Sequence, residues 1–400
     1  EAMSAFREAY DRSSALVDRD PKNGQRLFDR AQAEYWVGAV NWQKGLYDDA
    51  ETWWTRYRDS AVRLAAMDPS NFAWQREVAY GRENLATLDM KQGRNQQAEA
   101  GFRKELDLYR QWIKAHPGDK DLRDSAANTA SFLGTLAQMD GRLDEAEARF
   151  QEQVDEQARN RADEPDNAIW KSNWLDGKIL LANAQMARGR FDAARSSADA
   201  AARLAESLAA QDPTNIDWRR LTGLCHALQA KLMLPLDARK ADEMAKGAEA
   251  ELRATFRTQP DDDLFLRSLA GVQLFRAQLA LSAGVPTQSL QIAQDVQSTL
   301  ATRWAAKPNE ELRLLLAEAQ LRTGDAQRAL GDAAGASASW SASERLLRDG
   351  LGDPPAFNRL DLLVRVLQSQ HRAKEAAPYL ATLQHAGYVP LVGYEAAAAS

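Results

Sequence analysis

"MDPSNFAW" at 67–74 and "QDPTNIDW" at 211–218 are nearly the same eight letters, written 144 residues apart. The prolines place this echo in a series. Pro21, Pro69, Pro117, Pro165, Pro213, Pro260, Pro308 and Pro354 follow one another at spacings of 48, 48, 48, 48, 47, 48 and 46. A fixed period in this range is the mark of a solenoid built from stacked supersecondary units. It overrides the expectation of two or three globular domains for 400 residues.

Each period is itself halved. A glycine falls 24 residues after the proline at Gly45, Gly93, Gly141, Gly189 and Gly284, and one residue early at Gly331. The half-units between are rich in Ala, Leu, Arg, Glu and Gln, with apolar residues recurring every three or four positions, as in amphipathic helices. Proline closes one helix because it lacks an N–H and restricts its predecessor. Asn71, Asn167 and Asn215 stand where they can cap the next helix. The mid-unit glycine suits the left-handed residue that follows a helix C-terminus. Each unit therefore reads as a helical hairpin with arms about 30 Å long at 1.5 Å per residue.

The columns of the array say how the arms meet. Seven residues before the turn stand Gly38, Ala86, Gly134, Ala182, Ala277 and Gly324, which permit close approach. Nine residues after it stand Trp54, Phe102, Phe150 and Trp340, which fill the space between arms. Five residues after the proline stand Trp74, Leu122, Trp170, Trp218 and Phe265, which wedge one hairpin against the next. The repeated octet thus ends a helix, caps its successor and plugs the joint.

The pattern resembles the tetratricopeptide repeat. "GRLDEAEARF" (141–150) and "GRFDAAR" (189–195) match its turn and second helix, and the small residue, alanine, aromatic and closing proline match its other marks. The family repeat is 34 residues, and here each arm has gained a heptad. The resemblance implies an all-α, right-handed α-solenoid of about fifteen long helices over residues 1–386. It would comprise a half repeat at 1–20, repeats starting near 21, 69, 117, 165, 213, 260, 308 and 354, and a tail at 387–400. Regularity should break between 230 and 245, where Pro235 and Asp237 replace the glycine turn. The "DP-x-N-x-x-W" joint is also similar to long repeats in bacterial signalling proteins, including membrane-anchored Ser/Thr kinases. That resemblance implies a periplasmic sensor region, with the cytoplasm as the alternative. The chain starts at Glu1 and ends in "EAAAAS", and is expected to be a fragment of a longer protein.

Composition narrows the function classes. The chain is 44% hydrophobic and 27% charged, with net charge −6 and a pI near 5.5. A nucleic-acid partner is not expected, because that needs a basic stripe. No run of 18 apolar residues exists to enter a membrane. The four histidines, His116, His226, His371 and His385, lack metal-ligand spacing, and Cys225 and His226 are adjacent on a helix and point apart. No phosphate-binding or nucleophile motif is present. The expectation is a non-catalytic module without cofactor or metal that binds a protein or peptide. The competing class is an architectural scaffold or oligomerisation adaptor. The half repeat at 1–20 lacks a first arm, so its Phe6 side is expected to meet an upstream helix or a second copy.

In the family the first arm of each hairpin lines the groove, at positions about three, six, ten and thirteen before the turn. Carried onto this chain, those columns give Gln32, Tyr35 and Trp42, then Tyr80 and Glu83, Asn128 and Gln138, and Asp176 and Asn183. Tyr35 and Trp42 are expected to stack as anchors, and the amides to bond a peptide backbone. Glu83 and Asp176 favour a neutral or basic segment over an acidic tail.

Overall fold

The computed structural model describes residues 2–352 and 355–394. Among them are seventeen α-helices, a short 3-10 turn at Phe357–Arg359, and no strand. The helices are α1 (Ala2–Arg19), α2 (Gly24–Gln43), α3 (Tyr47–Met67), α4 (Phe72–Lys91), α5 (Asn95–Ala115), α6 (Lys120–Met139), α7 (Leu143–Asp163), α8 (Ala168–Ala187) and α9 (Phe191–Gln211). They continue with α10 (Ile216–Met233), α11 (Ala238–Phe256), α12 (Asp263–Ser282), α13 (Pro286–Ala306), α14 (Glu310–Ala329), α15 (Ala333–Arg348), α16 (Leu360–Ser369) and α17 (Ala373–His385). Even-numbered helices are first arms and odd-numbered helices second arms, so the array is an α-solenoid of tetratricopeptide-like hairpins. Pro354 and the tail end 395–400 lie outside the described residues.

The turn chemistry follows the sequence. Gly45, Gly93, Gly141, Gly189, Gly284 and Gly331 all have φ between 68° and 86°, a backbone that a Cβ strains. At the first turn Gly45 N–H donates to Trp42 O at 2.9 Å and Leu46 N–H to Asn41 O at 3.0 Å. This is the paired bond of a Schellman cap, and it satisfies carbonyls that the helix end leaves orphaned. At the joints, Asn71 accepts from Trp74 N–H at 3.2 Å and Asn215 from Trp218 N–H at 3.1 Å. The irregular turn is Leu234–Asp237, where the Asp237 carboxylate caps α11 through Lys240 N–H. Its two flanking helices have 18 and 19 residues, against 20 or 21 for the regular arms between α2 and α14.

Close approach of the arms is achieved by pairing small with large. A Cβ on Gly38 would stand 2.4 Å from Trp54 Cδ1, and one on Gly324 would stand 2.5 Å from Trp340 Nε1. Trp74 lies over Gly24 at the start of the preceding first arm. Trp218 reaches back the same way, donating to Ser172 Oγ on α8 at 3.2 Å.

The chain forms two compact units, Glu1–Leu136 and Ala137–Ser400, and α6 crosses the boundary. In the first, Phe102, Leu106, Tyr109, Leu122 and Leu133 are the heart of one core, and Val17, Leu27, Tyr57 and Leu64 of another. The helix α1 lies against this second core, with Phe6 half-buried and stacked on Trp36 at 5.5 Å. In the second unit a core around Leu360, Leu363, Val364 and Leu367 includes Leu143, from the first full helix of that unit. There Phe357 packs on the Gly141 turn so closely that a Cβ on the glycine would stand 2.5 Å from the ring. The last hairpin thus touches the start of its own unit.

Candidate functional site

Three successive first arms, α2, α4 and α6, present one polar face each in the first unit. Together with Tyr57 of α3 they line an open cavity of about 510 Å³. Gln32 and Tyr35 come from α2. Glu77, Tyr80, Glu83, Asn84 and Thr87 come from α4, and Ser125, Asn128 and Phe132 from α6.

Two carboxylates sit in this wall, each held by a tyrosine from a second arm. Tyr57 Oη donates to Glu77 Oε2 at 2.7 Å, and Gln32 Nε2 donates to the same oxygen at 2.8 Å. Tyr109 Oη donates to Glu83 Oε2 at 2.9 Å. The phenols gain a partner for a buried hydroxyl, and the carboxylates gain a fixed rotamer. Burial pushes the Glu83 carboxyl up to about 7; the Tyr109 hydrogen bond opposes this and the charge of Asp124 adds to it. Behind it, the buried Glu105 of α5 is also raised to about 7 by burial, against the pull of Arg82. Burial likewise raises both tyrosines. Tyr80 is spanned by Arg76, whose Nη2 donates to its hydroxyl at 2.7 Å. That arginine also pairs with Asp119 and Asp121.

A wall of this kind combines amphipathic rings, amides, hydroxyls and two acids, one of which, Glu83, carries a charge that burial disfavours. It can take the backbone of an extended chain on its amides and hydroxyls. It rewards a cation that offsets the desolvation of Glu83.

Of the residues singled out in the sequence, Gln32, Tyr35, Tyr80, Glu83 and Asn128 line this one cavity. Trp42 does not; it packs at the turn end of its hairpin, 5.6 Å from Trp54 and 5.4 Å from Tyr47. The expected stack of Tyr35 on Trp42 gives way to contacts of Tyr35 with Trp36 and Tyr57. The reason is position: Trp42 is only three residues from the glycine, at the turn end of α2, where its ring neighbours are Tyr47 and Trp54 of α3. Gln138, Asp176 and Asn183 belong to the second unit. Gln138 is half-buried near the end of α6, Asp176 is exposed, and Asn183 donates back to Ile179 O on its own helix at 2.9 Å.

Tyr57, Glu77, Asn84, Ser125 and Phe132 were not foreseen. Glu77 and Ser125 both lie sixteen residues before their turns, and Asn84 and Phe132 nine before. Continuing the groove columns by one further helical turn, and widening them by one position, finds all four. Tyr57 carries no such signal, because it reaches in from a second arm.

Elsewhere the chemistry is structural. Cys225 is buried and its thiol is pushed up to about 12 by burial, while its neighbour His226 lies on another face, between Glu251 at 2.8 Å and Glu206 at 2.9 Å. No group of three or more metal-ligating side chains comes together among the described residues. No helix among them is long and apolar enough to cross a membrane.

No family model matches the chain, and no curated protein matches it. Its backbone is similar to solved structures. One is a Rap protein complexed with competence and sporulation factor, 11% identical, covering 96% of this chain and 98% of that one, with a TM-score of 0.52. Another is a signal-transduction ATPase with numerous domains and a tetratricopeptide repeat sensor, from Pyrococcus horikoshii. It is 10% identical and covers 86% of this chain and 47% of that one, with a TM-score of 0.54. At such identities the likeness is one of fold, and the fold is that of the tetratricopeptide-like solenoids.

Proposed function

We propose that this solenoid is a non-catalytic recognition module whose first unit holds an extended, neutral or basic segment of a partner protein or peptide. The observation that carries the reading is the cavity between α2, α4 and α6, where Tyr35, Tyr80 and Asn128 share a wall with Glu77 and Glu83. A Rap protein of the same fold was solved with competence and sporulation factor, which supports a partner-holding role for such an array.

Selection of a random peptide library on the immobilised full chain tests this. Enriched sequences should carry Lys or Arg, and should bind at least tenfold more weakly to Glu83→Gln and to Asn128→Ala, with the helical circular dichroism of both variants unchanged. Selection that enriches nothing, or sequences that bind both variants as well as wild type, would overturn it and favour a scaffold.

The same reading extends to placement. The module serves as the periplasmic sensor region of a bacterial membrane-anchored Ser/Thr kinase, supported by the likeness of the "DP-x-N-x-x-W" joint. The upstream reading frame decides this extension: a kinase domain and a membrane span before the array support it, and a frame with neither removes it.

A further inference from the structure

The second unit also has an inner surface formed by first arms, but it is occupied. After α17 the chain turns at Gly387, whose φ is 71°, and runs without regular structure through Tyr388–Tyr394. Val389 N–H donates to Ala187 O at the end of α8 at 2.8 Å, and the valine side chain sits against the Gly189 turn. Leu391 packs on the core that contains Ala227 and Phe275 of α10 and α12. Arg365 of α16 donates to Val392 O at 2.8 Å and lies over the Tyr394 ring, whose hydroxyl donates to Asp361 at 2.7 Å. One strand of chain thus touches the turn of α8, the faces of α10 and α12, and the face of α16.

We propose that residues 387–394 are an internal ligand. The inner surface of the second unit is then a peptide site for an extended, uncharged segment bearing aromatic and branched side chains, and the tail is its resident. Three features distinguish a docked ligand from core. No residue from Ala386 to Tyr394 is fully buried, whereas Leu383 of the adjacent helix is 1% exposed. A cavity of about 350 Å³ remains beside the segment, lined by Tyr388, Leu391 and Val392 together with Met186, Phe275 and Glu318. Its recognition is that of a bound peptide: backbone groups at two points, Val389 N–H and Val392 O, and side chains between them. The sequence AGYVPLVGY contains no charge, and Pro390 disposes it to extended backbone. Tethering supplies the tail at an effective concentration on the order of millimolar, so a free competitor of equal affinity is held off until the tail is weakened.

The test uses the full chain and a fluorescent peptide of residues 386–394 as probe, read by anisotropy. Leu391→Asp with Tyr394→Ala weakens the tail and leaves the surface it covers intact. The double variant should bind the probe at least tenfold more tightly than wild type, with the helical circular dichroism and melting of the wild-type chain. Equal binding to both would show that the tail does not occupy the site. A folded variant that binds no probe would show that the surface is no peptide site. A variant that loses its helical fold would show that the tail is core.

Discussion

A carboxyl group that burial has made reluctant to ionise leaves a signature in the pH dependence of folding. Glu83 is raised from 4.5 to about 7, so between those values the folded chain holds a proton that the unfolded chain releases. Its contribution to stability is therefore greatest below pH 4.5 and declines as pH rises toward 7. Replacing Glu83 by Gln should remove that decline, on the order of 2–3 kcal/mol between pH 4.5 and 8. Urea melts across the range check it; an unaltered slope would mean that Glu83 ionises freely. His226 works with the same sign, over a higher pH range. The Glu251 hydrogen bond raises it to about 9 against burial, with Glu206 adding to the effect. Its contribution is complete below pH 6.5 and disappears as pH climbs through 9. His226→Gln should flatten the alkaline limb of the same titration and leave the acidic limb alone. The acid in the wall was legible in the sequence because Glu83 lies ten residues before its glycine. Its setting was not: Tyr57 and Tyr109 come from second arms, and only folding brings their hydroxyls to Glu77 and Glu83. The same limit hid the fate of Trp42, since a column fixes the face of a helix but not which neighbouring ring competes for the side chain.

Hairpins are assembled here by a volume rule that can be exchanged between repeats. In the two hairpins closed by tryptophan, the facing residue is glycine: Gly38 with Trp54 and Gly324 with Trp340. In the second hairpin the facing residue is Ala86 and the ring is Phe102. Gly38→Ala alone places a Cβ on the indole and should cost about 1–3 kcal/mol, the usual scale of overpacking. Combined with Trp54→Phe, which copies the second hairpin, much of that cost should return. A double-mutant cycle measures this coupling; strict additivity would mean the two residues do not share the gap. This level was the most legible. The proline and glycine positions follow from backbone chemistry that any reader of φ and N–H groups can apply, and the glycines adopt the left-handed turn they were assigned. The irregular joint at Leu234–Asp237 was visible as well, because losing the glycine removes the αL turn and leaves Asp237 to cap instead.

Periodicity says nothing about contacts between repeats far apart in the chain, and the largest departures from it arise there. A plain array couples each hairpin to its neighbours. The second unit adds Phe357 on the Gly141 turn and Leu143 within the core of α16 and α17. Neither residue stands out in its column, so the closure could not be read from the repeats. Phe357→Ala should cost about 3–5 kcal/mol, as loss of a buried ring does. Its effect on hydrogen exchange should appear both at the start of α7 and in α16. Exchange that rises in the last hairpin alone would reduce the contact to local packing. The closure has a mechanical consequence. Stacked hairpins without such a bond act as springs in series and lengthen gradually under load. A coil whose last turn is latched to its first does not lengthen until the latch breaks. Pulled from its ends, the second unit should hold its length and then yield in one step, when Phe357 leaves its seat on the Gly141 turn and Leu143 leaves the core of α16 and α17.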